Sequence, residues 1–165
     1  MSYTKDLIAE MERKIPSLMK ENKAFMEKIA RTKPKNLDKV THQLHKEEFE
    51  KIDCLECARC CASLGPMIFE SDIEKMASAV KTKVPKFKDD FIKIDEEGDY
   101  IFNQSPCPFL CHDNLCFIYQ HRPKACREYP HTDRKRFYQV ARKTYHNAAT
   151  CPAVYSIVEM LKRIF

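Results

Sequence analysis

The sequence predicts a mostly α chain with one small β-hairpin, in which a metal-stapled, cysteine-rich domain follows an N-terminal helical hairpin. Three observations carry this expectation. Apolar residues recur at alternating spacings of three and four through the N-terminal region, nine cysteines gather after residue 53, and a strand-like alternation surrounds Gly98.

The first helix rests on Ile8, Met11, Ile15, Leu18, Asn22, Phe25 and Ile29, which draw a single stripe. Asn22 interrupts it, and a polar residue in such a seam often fixes register against a partner helix. Pro16 lacks an N–H and crowds the preceding turn, so it should kink or restart the helix. The segment Thr32-Lys-Pro-Lys-Asn36 breaks the pattern, and Asn36 is placed to cap a second helix bearing Leu37, Val40, Leu44 and Phe49. Residues 4–52 thus read as a helical hairpin, with a boundary between an appendage at 1–52 and a metal-binding domain at 53–165. The stripe could pack on its own domain, or dock on a protein partner or a second copy of the chain.

Further along, Ser71-Asp-Ile-Glu74 has the pattern of a capping box and predicts a helix over about 72–80, with another starting near Pro85. Two short apolar runs between Phe91 and Phe102 flank an acidic turn containing Gly98, which is a hairpin signal. Ser105-Pro106-Cys107-Pro108 cannot be helical, so the second cysteine region opens on a loop. Val154 to Phe165 closes the sequence as an apolar-striped helix.

Composition narrows the function classes. The N-terminal residues alternate charge with apolar side chains and form neither a secretory signal nor a membrane span, so a cytoplasmic location is expected. Thiols stay reduced there, and an odd number of cysteines argues further against a disulfide framework. A net charge of +5, from 29 basic and 24 acidic residues, reads as mildly basic and spread along the chain. It permits a nucleic-acid or acidic-protein partner without arguing for one. No nucleotide-binding glycine loop or nucleophile elbow is present, which excludes the ordinary kinase and hydrolase routes.

The chemistry is concentrated in Cys54-Leu-Glu-Cys57-Ala-Arg-Cys60-Cys61. Thiolates select zinc or iron–sulfur clusters, and two ligands separated by two residues close readily on one centre. If 54–61 were helical, Cys54, Cys57 and Cys61 would share a face and Cys60 would turn away; if extended, Cys60 and Cys61 would point to opposite sides. Two arrangements follow. One is a pair of four-thiolate ions with ligands drawn from both halves of the chain; the other is a single iron–sulfur cluster with the remaining thiols around it. Eight cysteines suffice for two four-sulfur sites, and the one left over is Cys111, which stands where a turn is needed. Tyr119, Arg122, Arg127 and Tyr129 crowd around Cys126, where they can donate hydrogen bonds to thiolate sulfur or to nearby carbonyls. A competing reading makes Arg122, Lys124, Arg127 and His131 an anion site, while Arg134-Lys-Arg136 reads as a solvated basic turn.

Cys54-x-x-Cys57-x-x-Cys60-Cys61, then Cys107-Pro-Phe-Leu, Cys116-x-Ile-Tyr119-x-x-Arg122-Pro123-x-x-Cys126-Arg127-x-Tyr129-Pro130 and Cys151-Pro152 resemble the CxxCxxCC family of YkgJ-like cysteine-cluster proteins. The resemblance covers roughly residues 50–155. It implies zinc or iron chelation by Cys54, Cys57, Cys60, Cys61, Cys107, Cys116, Cys126 and Cys151. Some larger members resemble flagellin lysine methylases with an iron–sulfur centre, but no cosubstrate-binding region for methyl transfer is evident here. The expected function is a cytoplasmic metal-binding protein with a structural or redox role and a protein partner, holding zinc or an iron–sulfur cluster such as a four-iron, four-sulfur one. The alternatives are an iron–sulfur-dependent modification or electron-transfer enzyme, and a zinc-stabilised nucleic-acid or ribosome-binding module.

Overall fold

In the computed structural model, which describes residues 2–165, the N-terminal periodicity becomes two helices, α1 (Tyr3–Thr32) and α2 (Leu37–Phe49). They are followed by α3 (Cys54–Cys57), α4 (Arg59–Ser63), α5 (Glu70–Ala79), α6 (Val84–Phe91), the strands β1 (Ile92–Ile94) and β2 (Tyr100–Phe102), α7 (Lys124–Glu128), α8 (Ala141–Thr150) and α9 (Pro152–Ile164). The structure is 63% helical, and its only sheet among the described residues is a two-stranded hairpin, so the class is mostly α. None of the described helices is long and apolar enough to cross a membrane.

The chain forms two compact units. One joins the residues up to Cys57 with Pro130–Phe165, and the other is Ala58–Tyr129. Neither edge falls at residue 52, because α1 and α2 pack with α8 and α9 from the far end of the sequence. In this first unit Met26 and Ile29 of α1 and Leu44 of α2 meet Val154, Ile157 and Leu161 of α9 in one core. The stripe therefore packs within its own unit, with Met11, Asn22 and Ile29 buried and Ile15, Leu18 and Phe25 half-buried.

That burial explains why α1 continues through Pro16 instead of restarting there. An interior proline costs about 3 kcal/mol. Burial of Leu7 and Met11 before it and of Met26 and Ile29 after it anchors both arms of the helix. Asn22 belongs to the same buried face and has no solvent exposure, and neither its Nδ2 nor its Oδ1 has a hydrogen-bond partner. At the start of α2, Asn36 occupies the cap position without a side-chain bond. Asp38 fixes this end, since its carboxylate accepts the backbone amides of Arg136 at 2.6 Å and Phe137 at 2.9 Å.

The second unit centres on Ile68, Ile73, Met76, Phe87, Phe102 and Phe109, with the Phe87 and Phe109 rings stacked 6.0 Å apart. Helix α5 begins a residue before Ser71, so Ser71 is not its cap; Phe69 is, and its N–H donates to the Asp72 carboxylate at 3.2 Å. The same carboxylate, almost wholly buried, accepts the Lys124 N–H at 3.2 Å and so fixes the start of α7. Pro85 falls in the first turn of α6, where its missing N–H is harmless. Strands β1 and β2 pair antiparallel in the register Ile92 to Phe102 and Ile94 to Tyr100. Gly98 supplies the positive φ of 88° that their turn requires.

Candidate metal centre

The first cysteine cluster is neither one helix nor an extended segment. Ala58 adopts the left-handed conformation, with φ 46° and ψ 10°, and divides it into α3 and α4. Cys54 and Cys57 consequently belong to the first unit, whereas Cys60 and Cys61 belong to the second. A left-handed alanine costs about 1–2 kcal/mol, so the surrounding structure must hold it there. Glycine or asparagine would have signalled such a break in the sequence; alanine gives no such signal.

In the second unit, Cys61 on α4 is tied to the other cysteine region by backbone, because the Cys107 N–H donates to the Cys61 carbonyl at 2.9 Å. Beyond Cys107 the chain folds back on itself. The Phe117 N–H reaches the Phe109 carbonyl at 2.8 Å, and Leu110 and Cys116 face each other in a bridge. Cys111 lies in the connecting turn, its N–H on the Leu115 carbonyl at 2.8 Å and Asn114 left-handed at φ 65°. Cys126 is carried by α7, whose start Asp72 holds.

These thiols feel one another. Burial pushes the Cys126 thiol up to about 12, and the neighbouring Cys107, Cys61 and Cys116 add to the shift against the opposing Arg122 guanidinium. Burial also raises Cys107, with Cys61 and Cys116 contributing, and raises Cys116, with Cys61 and Cys111 contributing. Cys61 moves the other way, down to about 7, because it is hydrogen-bonded by Cys60 across 4.0 Å and is helped by the Arg122 charge. Cys107, Cys116 and Cys126 are thus half-buried thiols whose ionisation Cys61 opposes, and a bound metal would favour the thiolate at each of them.

A second thiol group lies in the first unit. Cys151 joins α8 to α9, and burial pushes it up to about 12. The Val154 and Ala153 amides oppose that shift by hydrogen-bonding its sulfur, while Cys57 and Cys54 reinforce it.

The predicted supporting residues divide. Arg122 stacks on the Tyr119 ring at 3.6 Å and donates from Nε to the Tyr119 carbonyl at 2.8 Å, so its charge is held where it acts on Cys61, Cys116 and Cys126. Arg127 donates to the Arg122 backbone carbonyl, bracing that arginine through the chain. Tyr129 is half-buried and ends α7. Asp72 escaped sequence reasoning as a positioning residue, because it read only as part of a helix start.

No disulfide links any of the nine cysteines. Among the described residues, no three histidine, cysteine, aspartate or glutamate side chains are already closed around a point that would hold an ion. The donor chemistry nonetheless fits a thiophilic metal, being sulfur-rich and backed by a fixed arginine. A family model, CxxCxxCC, described as a putative zinc- or iron-chelating domain, matches residues 53–152. No curated protein and no solved structure matches the chain.

Proposed function

The chain belongs to the CxxCxxCC family, and from that premise we propose that it is a zinc- or iron-binding protein whose metal is part of its fold. Cys61, Cys107, Cys116 and Cys126 hold one centre. Cys54, Cys57 and Cys151 form a second thiolate set. Cys60 hydrogen-bonds to the sulfur of Cys61 and favours its ionised form. The observation that supports this reading is that Cys107, Cys116 and Cys126 are each raised by burial and by Cys61, whose carbonyl is tied to the Cys107 N–H at 2.9 Å.

When bound, the metal would neutralise the thiolates and join these segments beside the apolar core against which Cys107 and Cys116 pack. Arg122, stacked on Tyr119, reduces the charge that remains on the sulfurs. A reducing, cytoplasmic setting suits this many thiols. Any contact between residues 1–52 and a protein partner uses their outward faces, since the inward stripe is already covered.

Anaerobic purification followed by metal analysis and absorption spectroscopy tests the proposal. A colourless protein with zinc–sulfur distances of about 2.3 Å by X-ray absorption identifies a thiolate zinc site, and sulfide-to-iron charge-transfer bands identify an iron–sulfur cluster. Cys126→Ser and Cys57→Ser should each lower the metal bound per chain, whereas Cys111→Ser, in its turn, should leave it nearly unchanged. Equal loss in all three variants would refute the assignment of ligands. A chain that takes up neither zinc nor iron on reconstitution would refute the function.

A further inference from the structure

The charge of this protein is concentrated by its fold. Residues 31–39 and 133–143 together contain nine lysines and arginines and two aspartates, so the rest of the chain, with twenty basic and twenty-two acidic residues, is slightly acidic. These two segments lie about a hundred positions apart in sequence. The structure brings them together within the first unit, because Asp38 takes the Arg136 and Phe137 amides, the His42 ring nitrogen bonds the Arg134 carbonyl at 3.1 Å, and Lys33 sits 4.9 Å over the Tyr138 ring.

All nine cations, Arg31, Lys33, Lys35 and Lys39 with Arg134, Lys135, Arg136, Arg142 and Lys143, are exposed. Among the described residues none of them is ion-paired with an aspartate or glutamate. Of the twenty basic residues elsewhere, seven, Lys14, Lys46, Lys51, Lys86, Lys88, Lys124 and Lys162, pair with carboxylates. Both acids of the face are engaged: Asp38 by backbone amides, and Asp133 beside His45 at 3.9 Å. Arg142 and Lys143 fall in the first turn of α8, the positive end of the helix, where stability alone would favour aspartate or glutamate.

We propose that this face binds a nucleic-acid duplex through its phosphates, without reading sequence. Neither segment contains an exposed large hydrophobic residue. It therefore lacks the aromatic and aliphatic anchors that dominate protein–protein affinity, the apolar insertion that must accompany a basic patch at a membrane, and the exposed rings that stack on single-stranded bases. What it offers is an array of unneutralised cations, and those suffice for sequence-independent binding to a phosphate backbone.

The test is fluorescence anisotropy of the full-length, metal-loaded chain with a labelled duplex, in DNA and RNA forms, over a salt series. The logarithm of affinity should fall linearly with the logarithm of salt by about 0.9 for each phosphate neutralised. The triple variant Lys35→Gln, Lys39→Gln, Lys135→Gln should lower that slope by about 2.7 and bind on the order of 100-fold more weakly at about 0.15 M salt. A control triple in the second unit, Lys75→Gln, Lys86→Gln, Lys93→Gln, should bind like the parent. The proposal is overturned if no duplex binds at low salt, if the two triples weaken binding equally, or if polyglutamate or phosphatidylserine vesicles bind more tightly than either duplex.

Discussion

Replacing Asn22 with leucine should make the protein more stable. The residue lies in the middle of α1 with no exposure, and both halves of its amide lack a partner. A buried polar group left unsatisfied costs about 1–3 kcal/mol, and an amide has one donor side and one acceptor side to leave so. Leucine removes that penalty and continues the apolar face of Met26 and Ile29, while its different shape returns about 1 kcal/mol as crowding. The net expectation is about 2 kcal/mol. In a chain of this length each kcal/mol moves the melting temperature by about 2–4 °C, so a rise of about 4–8 °C is expected. Thermal unfolding followed by circular dichroism measures it, and a urea titration with an unchanged slope would show that the native state gained the stability. Asn22→Ala separates the causes, because it removes the unpaired amide without crowding and should stay within about 1 kcal/mol of the parent. Should both variants lose more than that, Asn22 must be making hydrogen bonds and the reasoning fails.

Ala58→Gly should stabilise the chain by about 1 kcal/mol, because glycine adopts the left-handed conformation without strain, whereas Ala58→Val should reduce both stability and bound metal. A valine variant with full metal content would show that the break between α3 and α4 is not needed. The metal-free chain should gain a little stability from Cys61 between about pH 7 and 9 and then weaken as pH rises from about 9 toward 12. Cys126 and Cys151 are raised from an ordinary 9.0 to about 12 in the folded state, so the unfolded chain releases those protons first. The metal-loaded chain should instead weaken on acidification, as protons compete for its thiolates. Urea midpoints across about pH 5–11 check both, and a profile for the metal-free chain that stays flat above about pH 9 would contradict the burial of these two thiols.

The elements that local rules specify were legible in the sequence. Alternating spacings of three and four gave α1 and α2, Pro85 marked the start of α6, and the acidic turn with Gly98 gave the hairpin of β1 and β2. Where tertiary packing outweighed local preference, the sequence misled. Pro16 did not restart α1, because the residues buried on both sides of it pack in clusters that both include α9. Ser71 yielded the cap of α5 to Phe69, because Asp72 also has to hold the start of α7. The cysteines were visible as a metal-type cluster, but their division between the units rests on one left-handed alanine. Charge was the least legible property, since Arg134-Lys-Arg136 reads as a solvated turn until Asp38 joins it to residues 31–39.

The first unit is closed by the last part of the sequence, and this bears on how the protein emerges during synthesis. Helix α2 ends about eighty residues ahead of Pro130, where the complement of α1 and α2 begins. At about 5–20 residues per second, that interval lasts roughly 4–16 s. Throughout it, the face bearing Met11, Met26 and Ile29 has neither α8 nor α9 to cover it. A nascent chain in this state presents an apolar stripe to solvent, the kind of surface that holding chaperones retain. Fragments that stop short of α8 should therefore be held or degraded, and release should coincide with the arrival of the final two helices.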